Sequence, residues 1–132
     1  MERLEKRLQT AKTALASLKE LAGKEPDSLI HRDAAIQRFE YTFEAVWKTA
    51  KVYLKEVEGV DAGTPKGVVR ACMRAGVLDE NQTRTALEMV DDRNLTSHTY
   101  DESLAQMIFS RLSGYADLLG LWLAGIKARM GE

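Results

Sequence analysis

Apolar residues in this chain return at intervals of three and four along most of its length, and no segment shows the alternation of two that marks a strand. Leu4, Leu8, Ala11, Leu15, Leu18 and Ala22 make one such stripe. Ile36, Phe39, Phe43, Val46, Ala50, Tyr53 and Val57 make a second, widened by Trp47 and Leu54. Spacings of this kind keep side chains on one face of a 3.6-residue helix. A chain built this way buries its apolar surface by packing helix on helix. The expected fold is therefore all-α, an antiparallel four-helix bundle with an additional short helix.

Punctuation residues divide the pattern. Gly23 is a plausible stop for the first helix, with Pro26 just beyond it, and the second starts near Asp27 or Ser28 and runs to about Glu58. The first stripe is narrow and otherwise polar, which suits the bundle's outer face or a partner helix. After a loop over Gly59–Gly63, Thr64-Pro65 opens a short helix that ends at Gly76: a capping hydroxyl followed by proline at the first helical position. Asp79 with Gln82 reads as a capping box for the next helix, whose inward face carries Ala86, Leu87 and Val90 and which reaches Asn94. Thr99 with Glu102 reads as a second capping box, opening a last helix with Leu104, Met107, Ile108, Leu112, Tyr115, Leu118, Leu119, Trp122 and Ile126 on a broad apolar face.

The 132 residues suit one domain, 1–132, with a core that needs no staples. Nineteen basic residues against twenty acidic ones exclude a general electrostatic nucleic-acid binder, so any such contact must come from a local patch. Cys72 is the one cysteine, which rules out an intrachain disulfide and a zinc cluster built on thiolates. No cofactor or metal is expected. The charged start lacks an apolar signal region, and no apolar run is long enough to span a bilayer. A cytoplasmic protein with no membrane partner is the expectation.

The chemistry concentrates in Asp92-Arg93-Asn94-Leu95-Thr96-Ser97-His98-Thr99-Tyr100, which contains Arg-x4-His-x-Tyr and one of the chain's two histidines. Arg93 and Asn94 fall in the last turn of one helix and His98 just before the next, with Tyr100 in that helix's first turn. On one ideal helix Arg93 and His98 would lie roughly 140° apart, so they converge only if the chain bends between them. A guanidinium offers planar donors to phosphate oxygens, and an imidazole exchanges protons near neutral pH. A helix N-terminus adds free N–H groups for phosphate, although Asp101 and Glu102 partly cancel that charge. The set suits RNA cleavage without metal: His98 moving the proton, Arg93 stabilising charge on phosphorus, Asn94 orienting either group. One histidine does not easily serve as acid and base in one turnover, and a two-fold homodimer would supply the second copy.

Plainer readings compete with these. An Arg-x4-His pair arises often by chance as a surface pair. His31 has no partner motif and reads as solvent-exposed. The charged stretch from Glu2 to Lys12 reads as a solvated face, and Cys72 and Met73 as packing residues; Arg70, Arg74 and Lys66, at helical spacing on the short helix, read first as a solvated face and second as an addition to a phosphate-binding surface.

Longer strings carry more weight. Ile36-Gln37-Arg38-Phe39-Glu40-Tyr41-Thr42-Phe43-Glu44-Ala45-Val46-Trp47-Lys48 resembles the second helix of the nucleotidyltransferase substrate-binding protein family, within the HEPN superfamily of helical bundles. Thr64-Pro65-Lys66, Ala75-Gly76 and the whole Asp92–Tyr100 string resemble its later motifs, so the likeness runs from about residue 2 to residue 127. The resemblance implies a dimeric bundle encoded beside a minimal nucleotidyltransferase, as a toxin–antitoxin pair. It implies a metal-independent endoribonuclease site at Arg93, Asn94 and His98, and Tyr100 as an acceptor of AMP from the partner enzyme. The older family name implies a different role, in which the bundle presents a substrate to the nucleotidyltransferase as a non-catalytic substrate-binding or docking subunit. The chain lacks the transferase's own motif, a Gly-Ser followed by paired carboxylates, so it is not expected to transfer nucleotides itself.

Overall fold

The computed structural model describes residues 2–25 and 28–131. Five α-helices account for most of them: α1 (Glu2–Lys19), α2 (Leu29–Tyr53), α3 (Pro65–Arg74), α4 (Glu80–Leu95) and α5 (Glu102–Met130). A five-residue π turn, Leu54–Glu58, extends α2, and a single 3-10 turn, Thr96–His98, joins α4 to the segment before α5. There is no strand among the described residues.

Most starts and stops follow the local chemistry. Ser28 caps α2 through the His31 amide; Asp27, the other candidate start, and Pro26 lie outside the described residues. Thr64 accepts from the Gly67 amide with Pro65 at the first helical position, and Asp79 and Gln82 form the expected reciprocal box. α2 does not run to Glu58 as a uniform helix. It widens after Tyr53, whose hydroxyl donates to Glu58 at 2.5 Å, and Gly59 closes the turn at φ 69. A left-handed residue there favours glycine, which alone adopts it without cost to a side chain.

Side-chain bonds fix the directions of the helices. Thr49 donates to Arg7 O, Thr42 to Ala14 O and Arg38 to Ser17 O, so α1 runs antiparallel to α2. Arg111 and Tyr115 reach back to Asp92 and Glu88, so α4 and α5 are antiparallel too. Arg32 meets Glu102 and Phe39 stacks on Tyr115, so α2 and α5 run parallel, as the diagonal pair of an up-down-up-down bundle must. The first stripe is not peripheral: Leu4, Leu8, Ala11, Leu15 and Leu18 are all buried. Phe39, Phe43, Tyr53, Tyr115 and Trp122 fill the space between the long helices. Val57, expected in the second stripe, is 40% exposed because the π turn rotates it outward. Cys72 is buried in this core, and burial pushes its thiol up to about 11. No described helix is long and apolar enough to cross a membrane.

Candidate active site at the junction of α4 and α5

The last turn of α4 places Arg93 partly buried and Asn94 exposed. Thr96 then tightens the chain into the 3-10 turn, donating its hydroxyl to Arg93 O at 2.8 Å. A 3-10 turn winds more steeply than an α-helix, and His98 emerges at its end, exposed. His98 Nδ1 lies 3.1 Å from the Tyr100 hydroxyl, with the rings edge to face at 5.8 Å. Tyr100 itself is 82% exposed.

The helix start here differs from the sequence expectation. Asp101, not Thr99, caps α5: its carboxylate accepts from the Leu104 amide at 3.3 Å. The 3-10 turn consumes the residues that would have led into an earlier start, and Thr99 turns back to donate to Thr96 O. Glu102 does not close a box; it pairs with Arg32 through two bonds, at 2.8 and 3.2 Å. Tyr100 therefore precedes α5 rather than sitting in its first turn. The cap carboxylate also puts a negative charge at the end of α5 where free N–H groups were expected to receive phosphate, and it takes up one of them, the Leu104 amide.

Arg93 is held from another helix. Its Nε lies 3.5 Å from a Glu44 carboxylate oxygen, just beyond hydrogen-bond geometry, and the same carboxylate accepts from Trp47 Nε1 at 3.3 Å and lies 3.5 Å from Lys48 Nζ. Glu44 thus draws the guanidinium toward α2 by charge. Asn94 makes no side-chain hydrogen bond among the described residues, and its expected orienting contact to His98 is not formed. The structure brings His98 and Tyr100 into contact, keeps Asn94 free, and positions Arg93 through Glu44.

Two further clusters brace the corner, and neither was read from the sequence. Asp92, beside Arg93, is buried; it accepts from Tyr115 at 2.5 Å and from Arg111 at 2.9 Å. Burial first, then Asp92 and Glu88, pushes the Tyr115 phenol well above its ordinary range. Arg32, 4% exposed, ties the start of α2 to the start of α5 and holds the Glu102 carboxyl below the usual carboxylate range. His31 is half-buried, not solvent-exposed: its Nε2 is 3.4 Å from Leu21 O and its ring meets Phe109 edge-on. Lys66 is paired with Asp91 at 2.8 Å, while Arg70 and Arg74 are exposed.

Comparisons with known proteins give the family and the fold. A protein of Thermus thermophilus is 54% identical, with a TM-score of 0.86 over 88% of this chain and 98% of its own. The probable ribonuclease HepT of Haemophilus influenzae is 29% identical over 85 residues, 61% of this chain and 57% of that relative. The chain thus spans little more than half the length of that relative. A tri-AMPylated HEPN toxin of Shewanella oneidensis, solved in complex with MNT antitoxin, has the same fold, with a TM-score of 0.78 over 95% of this chain and 96% of its own at 14% identity. The family model described as nucleotidyltransferase substrate binding protein like matches residues 6–128. With that match covering nearly the whole chain, and with an all-helical HEPN-like bundle beneath it, the protein belongs to the nucleotidyltransferase substrate-binding-protein-like family.

Proposed function

We propose that this protein is a HEPN-type, metal-independent endoribonuclease toxin that pairs with a minimal nucleotidyltransferase and is neutralised by it. The observation that carries the proposal is the corner itself: His98, hydrogen-bonded at Nδ1 by Tyr100, lies one 3-10 turn from an arginine anchored by Glu44. With Nδ1 engaged, Nε2 is the ring nitrogen left to face substrate. His98 of one copy takes the proton of a ribose 2′-hydroxyl as its oxygen attacks phosphorus. The 5′-oxygen then leaves with a proton from a second copy's histidine, and a 2′,3′-cyclic phosphate remains. Arg93 stabilises the charge gathering on the phosphoryl oxygens, and Asn94 is free to hold one of them. The site works as a homodimer because each copy supplies one histidine.

Tyr100 is the proposed control point. Its exposed hydroxyl is open to a partner enzyme, which would form the phosphodiester by attack on the α-phosphorus of ATP with pyrophosphate leaving. The phenolic proton is then lost, and an anion sits within reach of His98, where it repels RNA. Supporting this reading, the similar bundle from Shewanella oneidensis is itself AMPylated and bound to its antitoxin.

The family description, substrate binding protein like, favours a second reading, a non-catalytic substrate-binding or docking subunit of the nucleotidyltransferase. RNA cleavage in the presence of a chelator separates the two. The ribonuclease reading expects cleavage leaving cyclic phosphate ends and its loss in His98→Ala; equal cleavage by that variant would remove His98 from the mechanism. Tight binding to the partner with no cleavage by the free protein would favour docking. Intact-mass analysis after incubation with the partner, ATP and magnesium tests Tyr100, since modification undiminished in Tyr100→Phe would place the acceptor elsewhere.

A further inference from the structure

Where the start of α1 faces the C-terminal half of α2, basic side chains gather in two neighbouring grooves. Lys48, Lys51 and Lys55 repeat at three and four along α2 and the π turn that extends it, beginning one helical turn beyond Glu44, so they continue the face that holds Arg93. Arg3 and Arg7 stand across from them on α1 and line the same groove, of about 400 Å³. Arg3, Arg7 and Lys6 also line a neighbouring groove of about 580 Å³ between α1 and α2, floored by Ala45 and Thr49. The two grooves meet at Arg3 and Arg7, which line both.

Together they are lined by six cations against two carboxylates, Glu2 and Asp61, in a chain whose net charge is −1. Two more carboxylates nearby are paired: Glu56 lies 3.8 Å from Arg3, and Glu44 lies between Arg93 and Lys48. Lys48 is 51% and Arg3 62% exposed, so both reach solvent. Such segregation in a nearly neutral protein makes a local positive field in a concave path, which concentrates a polyanion. From Glu44 to Lys55 the stripe spans about 16 Å at 1.5 Å per residue.

We infer that this groove is the track for a single RNA strand, its phosphates running past Lys48, Lys51 and Lys55 with Arg3 and Arg7 on the far wall, and its scissile end delivered to Arg93. A flexible single strand follows a groove between two helices, and a positive groove that tracks the backbone is how such strands are held without reading sequence. The inference rests on the ribonuclease reading for its choice of RNA, and it adds where the rest of the substrate lies.

The test measures binding apart from cleavage. A fluorescent single-stranded RNA of about twenty nucleotides is titrated by anisotropy over a range of NaCl concentrations, in the His98→Ala background so that it stays intact. Each phosphate contact on a single strand contributes about −0.7 to the slope of log affinity against log salt. Adding Arg3→Gln, Arg7→Gln, Lys51→Gln and Lys55→Gln should flatten the slope by about 2 to 3 and raise Kd at least tenfold. Lys51→Glu with Lys55→Glu, a pair confined to the exposed side of one helix, should weaken binding in the same direction and covers the case in which the fourfold variant folds poorly. Arg74→Gln with Arg84→Gln, on other exposed faces, should change neither quantity. An unchanged Kd and slope in both groove variants overturns the inference, even if the wild-type protein cleaves RNA. Absence of RNA binding overturns it too, as does loss of partner capture by groove variants whose RNA affinity is intact. Groove-dependent RNA binding with no cleavage by the wild-type protein would sustain the track and reject the ribonuclease.

Discussion

Replacing Asp92 by asparagine tests whether the helix carrying Arg93 is locked in place from beneath. The carboxylate is 4% exposed and joins two partners on α5: the Tyr115 hydroxyl at 2.5 Å and Arg111 Nη1 at 2.9 Å. Asparagine keeps one oxygen acceptor, but it turns an N–H group toward a guanidinium or a phenol and removes the charge. A hydrogen bond to a charged group contributes about 1.5–3 kcal/mol. The Tyr115 bond, made by a hydroxyl on a buried side chain, contributes most of that range. The Arg111 bond is discounted to about 1 kcal/mol, because Arg111 is 37% exposed and solvent screens it. The combined loss is about 3 kcal/mol. Unfolding entropy scales with chain length, so for 132 residues this lowers Tm by about 10 °C. Thermal unfolding followed by circular dichroism measures it, and Tyr115→Phe supplies the second arm of a double-mutant cycle because its ring can keep the stack on Phe39. A Tm within about 2 °C of wild type, or additive losses from the two substitutions, would mean that the Asp92–Tyr115 bond does not hold α4 to α5.

Glu44→Gln should lower RNA cleavage about tenfold, a cost of about 1.4 kcal/mol in barrier, with little change in Tm, because Glu44 positions Arg93 without entering the core; an unchanged rate would show that Arg93 needs no anchor. Glu102 has its pKa depressed by Arg32, so its stabilising contribution is complete above the ordinary glutamate value of about 4.3 and is lost as pH falls through its lower folded value. The Tm difference between wild type and Glu102→Gln should therefore hold steady at neutral pH and shrink on acidification below about pH 4; a difference that persists to about pH 2 would assign the effect to packing. Cys72, with its thiol pushed up to about 11 by burial, should react with a thiol reagent at about pH 8 only as fast as the protein opens. Rapid labelling of the native protein would contradict the packing around it.

The periodicity of three and four was enough for the helices because burial follows it directly: Leu8, Phe39 and Trp122 all lie where their stripes put them. The start of α5 was not readable in the same way. Thr99 and Asp101 are both competent caps, and only the 3-10 turn over Thr96–His98 decides between them. Glu102 looked like part of a cap because local spacing carries no information about Arg32, seventy residues earlier in the chain. The same limit hid Glu44 and Asp92 as supports of the site, since each partner lies on another helix and charge complementarity across helices leaves no periodic signal. Arg93, His98 and Tyr100 were visible together because one short segment carries them all. Their surroundings became visible only when α2 and α5 were placed against that segment.

The aromatic packing along the bundle's diagonal has a consequence for how this protein changes over time. Phe39, Phe43, Tyr115 and Trp122 hold the long helices together, and the candidate chemistry sits outside them on exposed side chains. Substitutions at Asn94, His98, Tyr100 or Lys55 remove little buried surface, so each costs little of the few kcal/mol by which a domain of this size stays folded. The exposed side chains of the candidate site can therefore change one at a time on an unaltered scaffold. A descendant that has lost one of these side chains would still fold.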